Sequence, residues 1–439
     1  MVKRFALLII LAVGFAPLTA QNTGEPRVIM ISIDGLMPTS YTDPASPATN
    51  LRALSQGGAW ADGVVGVLPT VTFPSHTTLI TGVPPAVHGI VDNRILDPEN
   101  RSEGAWYYYA RDIKVPTLPM AARSRGLRAA AVTWPATVGM DIDYLVPEYL
   151  RYDHPENLTM LRALSSPRTL LDGVEAARGK PLGWPQTDRD RTDITRFILK
   201  TFDPHVLLLH LIDLDDAQHE FGPGSPEARQ TLTMIDGLVG EIVAQVKSSG
   251  RADRTTVAIV SDHGFLPVKT MLQPNAAFRR EGLLTVDDRG RITAWQAYFH
   301  SSGGSGYVYV KDSSTIGRVQ KLLETMKQDS ANGIRSVWTR TELAAKSAHP
   351  GAAFGLDVVD GFYTGSGHDV VVKPATSKGG HGFDPERTAL HASLILNGSA
   401  VRTRGSLGIV NMTQIAPTLA SILGVGLSPS AAHPLNLGN

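Results

Sequence analysis

The chain has 439 residues, 42% of them hydrophobic and 19% charged, with 41 bases against 41 acids and no cysteine. That composition fits one large α/β domain or two smaller ones, and near-neutrality with no basic stripe speaks against binding long nucleic acids by counterion release. Without cysteine there is no disulfide, thiolate metal site or lipid-modified cysteine, so any metal has to be held by histidines and carboxylates.

Lys3 and Arg4 precede an apolar run from Phe5 to Phe15, which closes on Pro17-Leu18-Thr19-Ala20 before the polar Gln21-Asn22. The run is short for a bilayer span and ends on small residues, so residues 1–20 read as a cleaved signal peptide. Its loss removes two bases and no acids, leaving 39 bases and 41 acids. The expected product is a periplasmic or secreted protein with no membrane span and one catalytic domain over 21–439.

Arg27 to Ile33 is an almost unbroken β-rich run, as expected of a strand buried on both faces, and it ends at Asp34-Gly35. The same grammar recurs at Ala129 to Thr133, Val206 to Leu211, Thr256 to Val260 and Ala392 to Leu396. Helical patterns lie between them at Thr117 to Ser124, Glu227 to Lys247 and Met412 to Leu423. Strands alternating with helices predict an α/β fold with a mostly parallel central sheet covered on both faces. The pattern loosens over about 144–193, read as an irregular insert, and over about 266–377. The second stretch holds a β-like Tyr307 to Lys311 and a helix at Ile316 to Gln328, and is read as an inserted cap subdomain.

Leu68 to His76 reads Leu-Pro-Thr-Val-Thr-Phe-Pro-Ser-His, two prolines bracketing a rigid turn, and helix-like apolar spacing resumes only after His76. A threonine there is ordinarily a cap or turn residue. It is also well placed to offer its hydroxyl beside helix N–H groups that hold an anion. The residues just past the strand ends decide between these readings: Asp34, Asp215 with His219, Asp262 with His263, and His381 between glycines. Asp215 and His219 are one helical turn apart and can face one ion. Gly264 is expected to let the turn redirect Asp262 and His263 to one side. Three histidines and three aspartates make two N/O sites, suited to Zn²⁺ and less readily to Mn²⁺ or Mg²⁺. His76, His88, His205 and His300 each read as an ordinary buried imidazole.

These motifs resemble the nucleotide pyrophosphatase/phosphodiesterase (type I phosphodiesterase) family of the alkaline phosphatase superfamily. The resemblance rests on Thr-Phe-Pro-Ser-His with His88-Gly89-Ile90 and Asn93, on Asp215…His219…Gly222-Pro223, on Ser-Asp-His-Gly and on Gly-His-Gly-Phe, and runs from Asp34 to Leu423. It implies that Asp215, His219 and His381 bind one zinc, that Asp34, Thr72, Asp262 and His263 bind the other, and that Asn93 donates a hydrogen bond to the phosphoryl group. Gln218, where the family usually has glycine, and the extra acid Asp216 are departures expected to reshape the substrate mouth.

A threonine hydroxyl is a weak nucleophile, and no Ser–His–Asp arrangement is evident to activate it; coordination to a divalent ion does so instead. The expected enzyme is a two-zinc phosphodiesterase or nucleotide pyrophosphatase working through a phosphothreonine on small phosphoesters, nucleotides foremost. Phe73 and Tyr152 are the expected walls of the base pocket, with Tyr149 second to Tyr152 by resemblance to the family's proline–tyrosine stretch. The competing expectations are a phosphate monoester, sulfate or phosphonate hydrolase (phosphonoacetate type) of the same superfamily, and an inactive secreted metal-binding protein. The complete set of ligand residues argues against the last.

Overall fold

The computed structural model describes residues 24–102, 105–149 and 157–438. The expected signal peptide and Tyr152 lie outside the described residues.

Arg27–Ile33 is the middle strand of an eight-stranded sheet. Val206–Leu211 and Thr255–Val260 flank it in parallel register, and Ala129–Val132 and Tyr144–Val146 continue the parallel set beyond Val206–Leu211. On the other side Leu394–Asn397 runs antiparallel to Thr255–Val260, followed by the short strands Ala59–Trp60 and Gly405–Ser406. The apolar runs form strands because both faces are covered. Ile29, Ile31 and Ile33 pack with Leu51, Ile194, Ile198 and Ile235 of helices Thr49–Gln56, Asp188–Thr201 and Pro226–Ser248. Val28 and Met30, on the opposite face, pack with Leu79, Leu118, Ile415 and Leu419 of helices Thr72–Thr81, Leu118–Ser124 and Ile415–Leu423.

The stretch read as irregular contains the edge strand Tyr144–Val146 and the helices Asn157–Leu164, Leu170–Arg178 and the start of Asp188–Thr201. Proline, arginine and short amphipathic turns hid this helicity. Thr187, for example, caps its helix with a reciprocal Asp190 bond.

Beyond Phe265 a second, antiparallel sheet of Ala297–Ser301, Ser305–Val310, Phe354–Val358 and Ile334–Thr339 carries the helix Ile316–Gln328. Its apolar core includes Phe278, Phe299, Leu323 and Phe354, and draws in Phe383 from the loop after His381. A buried Arg387–Asp357 ion pair at 2.5 Å ties that loop to the Phe354–Val358 strand. This layer therefore borders the carboxyl ends of the parallel strands, the rim where open α/β sheets bind ligands.

Candidate active site

Helix Thr72–Thr81 starts at Thr72 itself, earlier than the apolar spacing suggests. Pro74 falls in its first turn, where a missing N–H breaks no intrahelical bond. The anion cradle expected of this helix end is largely spent. Phe73 N–H donates to Asn93 Oδ1 at 2.8 Å, Pro74 has no N–H, and Ser75 N–H donates to the Val71 carbonyl. His76 locks the turn to the sheet, with Nδ1 2.8 Å from the Thr72 carbonyl and Nε2 2.8 Å from Ser32 Oγ.

The six histidine and aspartate ligands expected from the sequence converge. His219 Nε2 is 3.4 Å from Asp215 Oδ2, and His381 Nε2 is 3.2 Å from His219 Nε2 and 3.7 Å from Asp215 Oδ1. His263 Nε2 stands 3.3 Å from Asp34 Oδ1 and 3.1 Å from Asp262 Oδ2. The His263 and His381 rings stack at 3.6 Å, which brings the two halves of the cluster together. Two sets of ligand atoms lie within 4.8 Å of one another, Asp215–His219–His381 and Asp34–Asp215–His263. Asp262 adjoins the second set through His263, while its Oδ1 accepts from the backbone N–H of Gly35 and His263. His219 and His381 turn Nδ1 to the carbonyls of Gly379 and Thr70, so their Nε2 atoms face the cluster with lone pairs available.

Two glycines make the convergence possible. A Cβ on Gly264 would sit 2.1 Å from the Ala389 carbonyl, so this residue serves close backbone approach. Gly382 has φ +87° and would place a Cβ 1.8 Å from the Ser302 carbonyl, which pins His381 against the cap.

Burial and the neighbouring Asp262 and Asp215 push the Asp34 carboxyl well above the usual carboxylate range. Burial acts the same way on Asp262, but His263, His76 and His210 outweigh it and hold that carboxyl well below the range. His381 is driven well below the ordinary imidazole value by burial and by His263 and His219, so it stays neutral, the form that ligates metals.

Thr72 is partly buried at the start of its helix, and Asn93 is partly buried beside it. Phe73 does not line an open pocket. Its ring is fully buried beneath Trp106 at 5.2 Å and Tyr108 at 6.0 Å, because the helix turns that side chain into the core and presents only its backbone. Tyr149, partly exposed, packs on Tyr108 at 4.9 Å and continues the aromatic wall with Trp106. Gln218 is also buried, its amide donating to the Gly35 carbonyl at 3.0 Å, so it braces the loop after Asp34 instead of shaping the mouth. Asp216 is exposed.

The sequence reading passed over His210, Glu148, Ser32 and Trp106. His210 and Ser32 carried a signal: each is the one polar side chain deep in an apolar strand, and they are register partners across the sheet. Glu148 and Trp106 sit in irregular segments with no periodicity to mark them.

The family model described as type I phosphodiesterase/nucleotide pyrophosphatase matches residues 28–356. The chain belongs to this family. The phosphodiesterase match takes in Asp34, Thr72, Asn93, Asp215, His219, Asp262 and His263 and ends before His381. An uncharacterised pyrophosphatase/phosphodiesterase of Schizosaccharomyces pombe is 26% identical over 275 residues, 60% of this chain and 50% of the relative, so the match spans half that protein's length. The mouse bis(5′-adenosyl)-triphosphatase is 22% identical over 427 residues, 94% of this chain and 80% of that one. Among solved structures, an inactive threonine-to-alanine variant of mouse ectonucleotide pyrophosphatase/phosphodiesterase 5 in complex with AMP has a TM-score of 0.65. It is 18% identical and covers 92% of this chain and 96% of its own, a likeness of fold. No helix among the described residues is long and apolar enough to cross a membrane.

Proposed function

We propose that this phosphodiesterase-family protein is a two-metal enzyme that hydrolyses phosphodiester or pyrophosphate bonds of small nucleotides through a phosphothreonine on Thr72. The observation that carries the reading is the pair of donor sets joined at Asp215. Within these sets Asp34 Oδ1, Asp215 Oδ1 and His263 Nε2, and beside them Asp262 Oδ2, are buried with no hydrogen-bond partner. Orphaned buried carboxylate oxygens are costly, and cations relieve that cost. Asp215, His219 and His381 would hold one ion, and Asp34, Asp262, His263 and Thr72 the other, with an all-N/O set that suits Zn²⁺ ahead of Mn²⁺ or Mg²⁺. Such ions lower the pKa of a hydroxyl and neutralise charge on a leaving oxygen.

Thr72 Oγ1 would attack phosphorus while the bond to the leaving oxygen breaks, and water would then displace phosphorus from Thr72. The amide oxygen of Asn93 is engaged by Phe73 N–H, so its NH₂ group is the part left to donate to a non-bridging phosphoryl oxygen. The relatives support a nucleotide substrate. One is named for hydrolysis of a bis-adenosyl triphosphate, and the solved mouse structure holds AMP. Trp106, Tyr149 and Tyr152 would wall the base. Residues 1–20 would be removed on export to the periplasm or medium, which intact mass of protein from a secreting host would test: retention of Met1 to Ala20 defeats it.

Metal analysis of active protein by plasma emission, paired with a panel of chromogenic phosphate mono- and diesters, tests the central reading. Two zinc ions per chain and a preference for nucleoside 5′-monophosphate esters are expected. One ion or none in active protein, or a preference for monoesters, would overturn it.

A further inference from the structure

We infer that Glu148 and His210 act as a buried strut that positions Asp34 to offer one oxygen, Oδ1, to a metal ion; the inference rests on the two-metal reading above. His210 Nδ1 lies 2.9 Å from Glu148 Oε2 and 3.2 Å from the Thr133 carbonyl. Both are acceptors, so that nitrogen carries its proton outward from the cluster. At the other end of the ring, Nε2 is 3.0 Å from Asp34 Oδ2, also an acceptor when that carboxyl is ionised, so the ring that donates to it carries a proton on each nitrogen. The three side chains are only 1%, 3% and 5% exposed for His210, Asp34 and Glu148, so water does not compete for these bonds.

The two oxygens of Asp34 are thereby given different tasks. Oδ2 is engaged by His210, whereas Oδ1 has no hydrogen-bond partner and faces His263 Nε2 at 3.3 Å. The last torsion of an aspartate is broad, so a carboxylate at a strand end has no preferred rotation until a partner fixes it. His210 supplies that partner from the adjacent strand, where Ser32 and His210 are in register two residues before Asp34. The ring is itself held from the side by His76, whose centroid is 4.2 Å away. Glu148 completes the strut from the segment after the edge strand Tyr144–Val146. Partners of this kind typically change metal affinity ten- to a hundredfold when removed.

The test is a zinc competition titration against a chelator on the full chain, with metal content counted per chain. The wild type should bind two ions. His210→Phe removes the donor and should weaken one ion by roughly ten- to a hundredfold while the other is unchanged. Glu148→Ala should weaken the same ion by less. Glu148→Gln, whose amide oxygen still accepts from Nδ1–H, should stay within about threefold of wild type. Should the phenylalanine variant fail to fold by circular dichroism, His210→Gln, which keeps a donor for Asp34 but loses the bond to Glu148, together with Glu148→Ala carries the same comparison. A wild type with two ions, with His210→Phe (or, where that variant does not fold, Glu148→Ala) matching it at both sites, would overturn the strut alone. A wild type with no ion would overturn the two-metal reading, and the strut with it.

Discussion

The amide oxygen of Asn93 accepts a hydrogen bond from the backbone N–H of Phe73, the residue after Thr72, at 2.8 Å. A backbone N–H can only donate, so this bond fixes which way the Asn93 amide faces and leaves its NH₂ group as the available donor. Asn93→Asp keeps the acceptor for Phe73 and replaces the donor with an anionic oxygen. The expected outcome is a loss of about 10²–10³ in kcat with little change in thermal midpoint, as for the removal of one transition-state donor. Steady-state rates beside a melting curve check it. A loss of activity below fivefold would mean that Asn93 only braces the helix.

Thr72→Ala should abolish turnover while zinc content stays near normal, because the remaining ligands are untouched. Thr72→Ser should retain part of the activity, since the hydroxyl survives without the methyl that restricts its rotamer. If the alanine variant kept more than about a hundredth of the rate, a barrier change of only ~3 kcal/mol, direct attack by water would be the better mechanism.

His88 links stability to pH away from the metal ligands. It is fully buried, accepts from the Ile90 N–H at Nδ1 and places Nε2 3.0 Å from Thr78 Oγ1, the bonding of a neutral ring. Burial lowers its pKa from 6.5 to about 3. Between those values the unfolded chain binds a proton that the native chain refuses. Stability therefore falls as pH drops through this window, by up to ~1.4 kcal/mol per pH unit from this one group. His88→Gln should reduce the slope of unfolding free energy against pH, measured by urea titration between pH 6 and about pH 4, by close to one proton. An unchanged slope would assign the acid sensitivity to other groups.

The aromatic wall gives a prediction about substrate choice. Tyr149→Ala removes the ring that packs on Tyr108, and Tyr152→Ala removes the expected stacking partner of the base. Stacking on one ring is worth about 1–3 kcal/mol, so Tyr152→Ala should raise KM for a p-nitrophenyl nucleoside 5′-monophosphate ten- to a hundredfold, and Tyr149→Ala by less. Hydrolysis of bis-p-nitrophenyl phosphate should barely change. Equal losses on both substrates would show that the rings only pack the core.

Much of this protein was readable in one dimension. Apolar β-rich runs ending in Asp34, Asp215 and Asp262 announce a parallel sheet with a polar rim, because a strand buried on both faces leaves no other place for charge. The i, i+4 spacing of Asp215 and His219 held, since local helical geometry needs no tertiary contact to set it. What the chain could not reveal were relationships created by packing. Phe73 adjoins Thr72 in sequence, yet its ring is buried under Trp106, because a helix sends successive side chains in different directions. Gly264 proved necessary for a neighbour 125 positions away, Ala389, which no local pattern signals. His210 and Glu148 bond across 62 positions, and His210 and Asp34 across 176. Periodicity reports which side of an element is buried; only the folded chain decides which buried groups meet, and in this site those meetings orient the carboxylates.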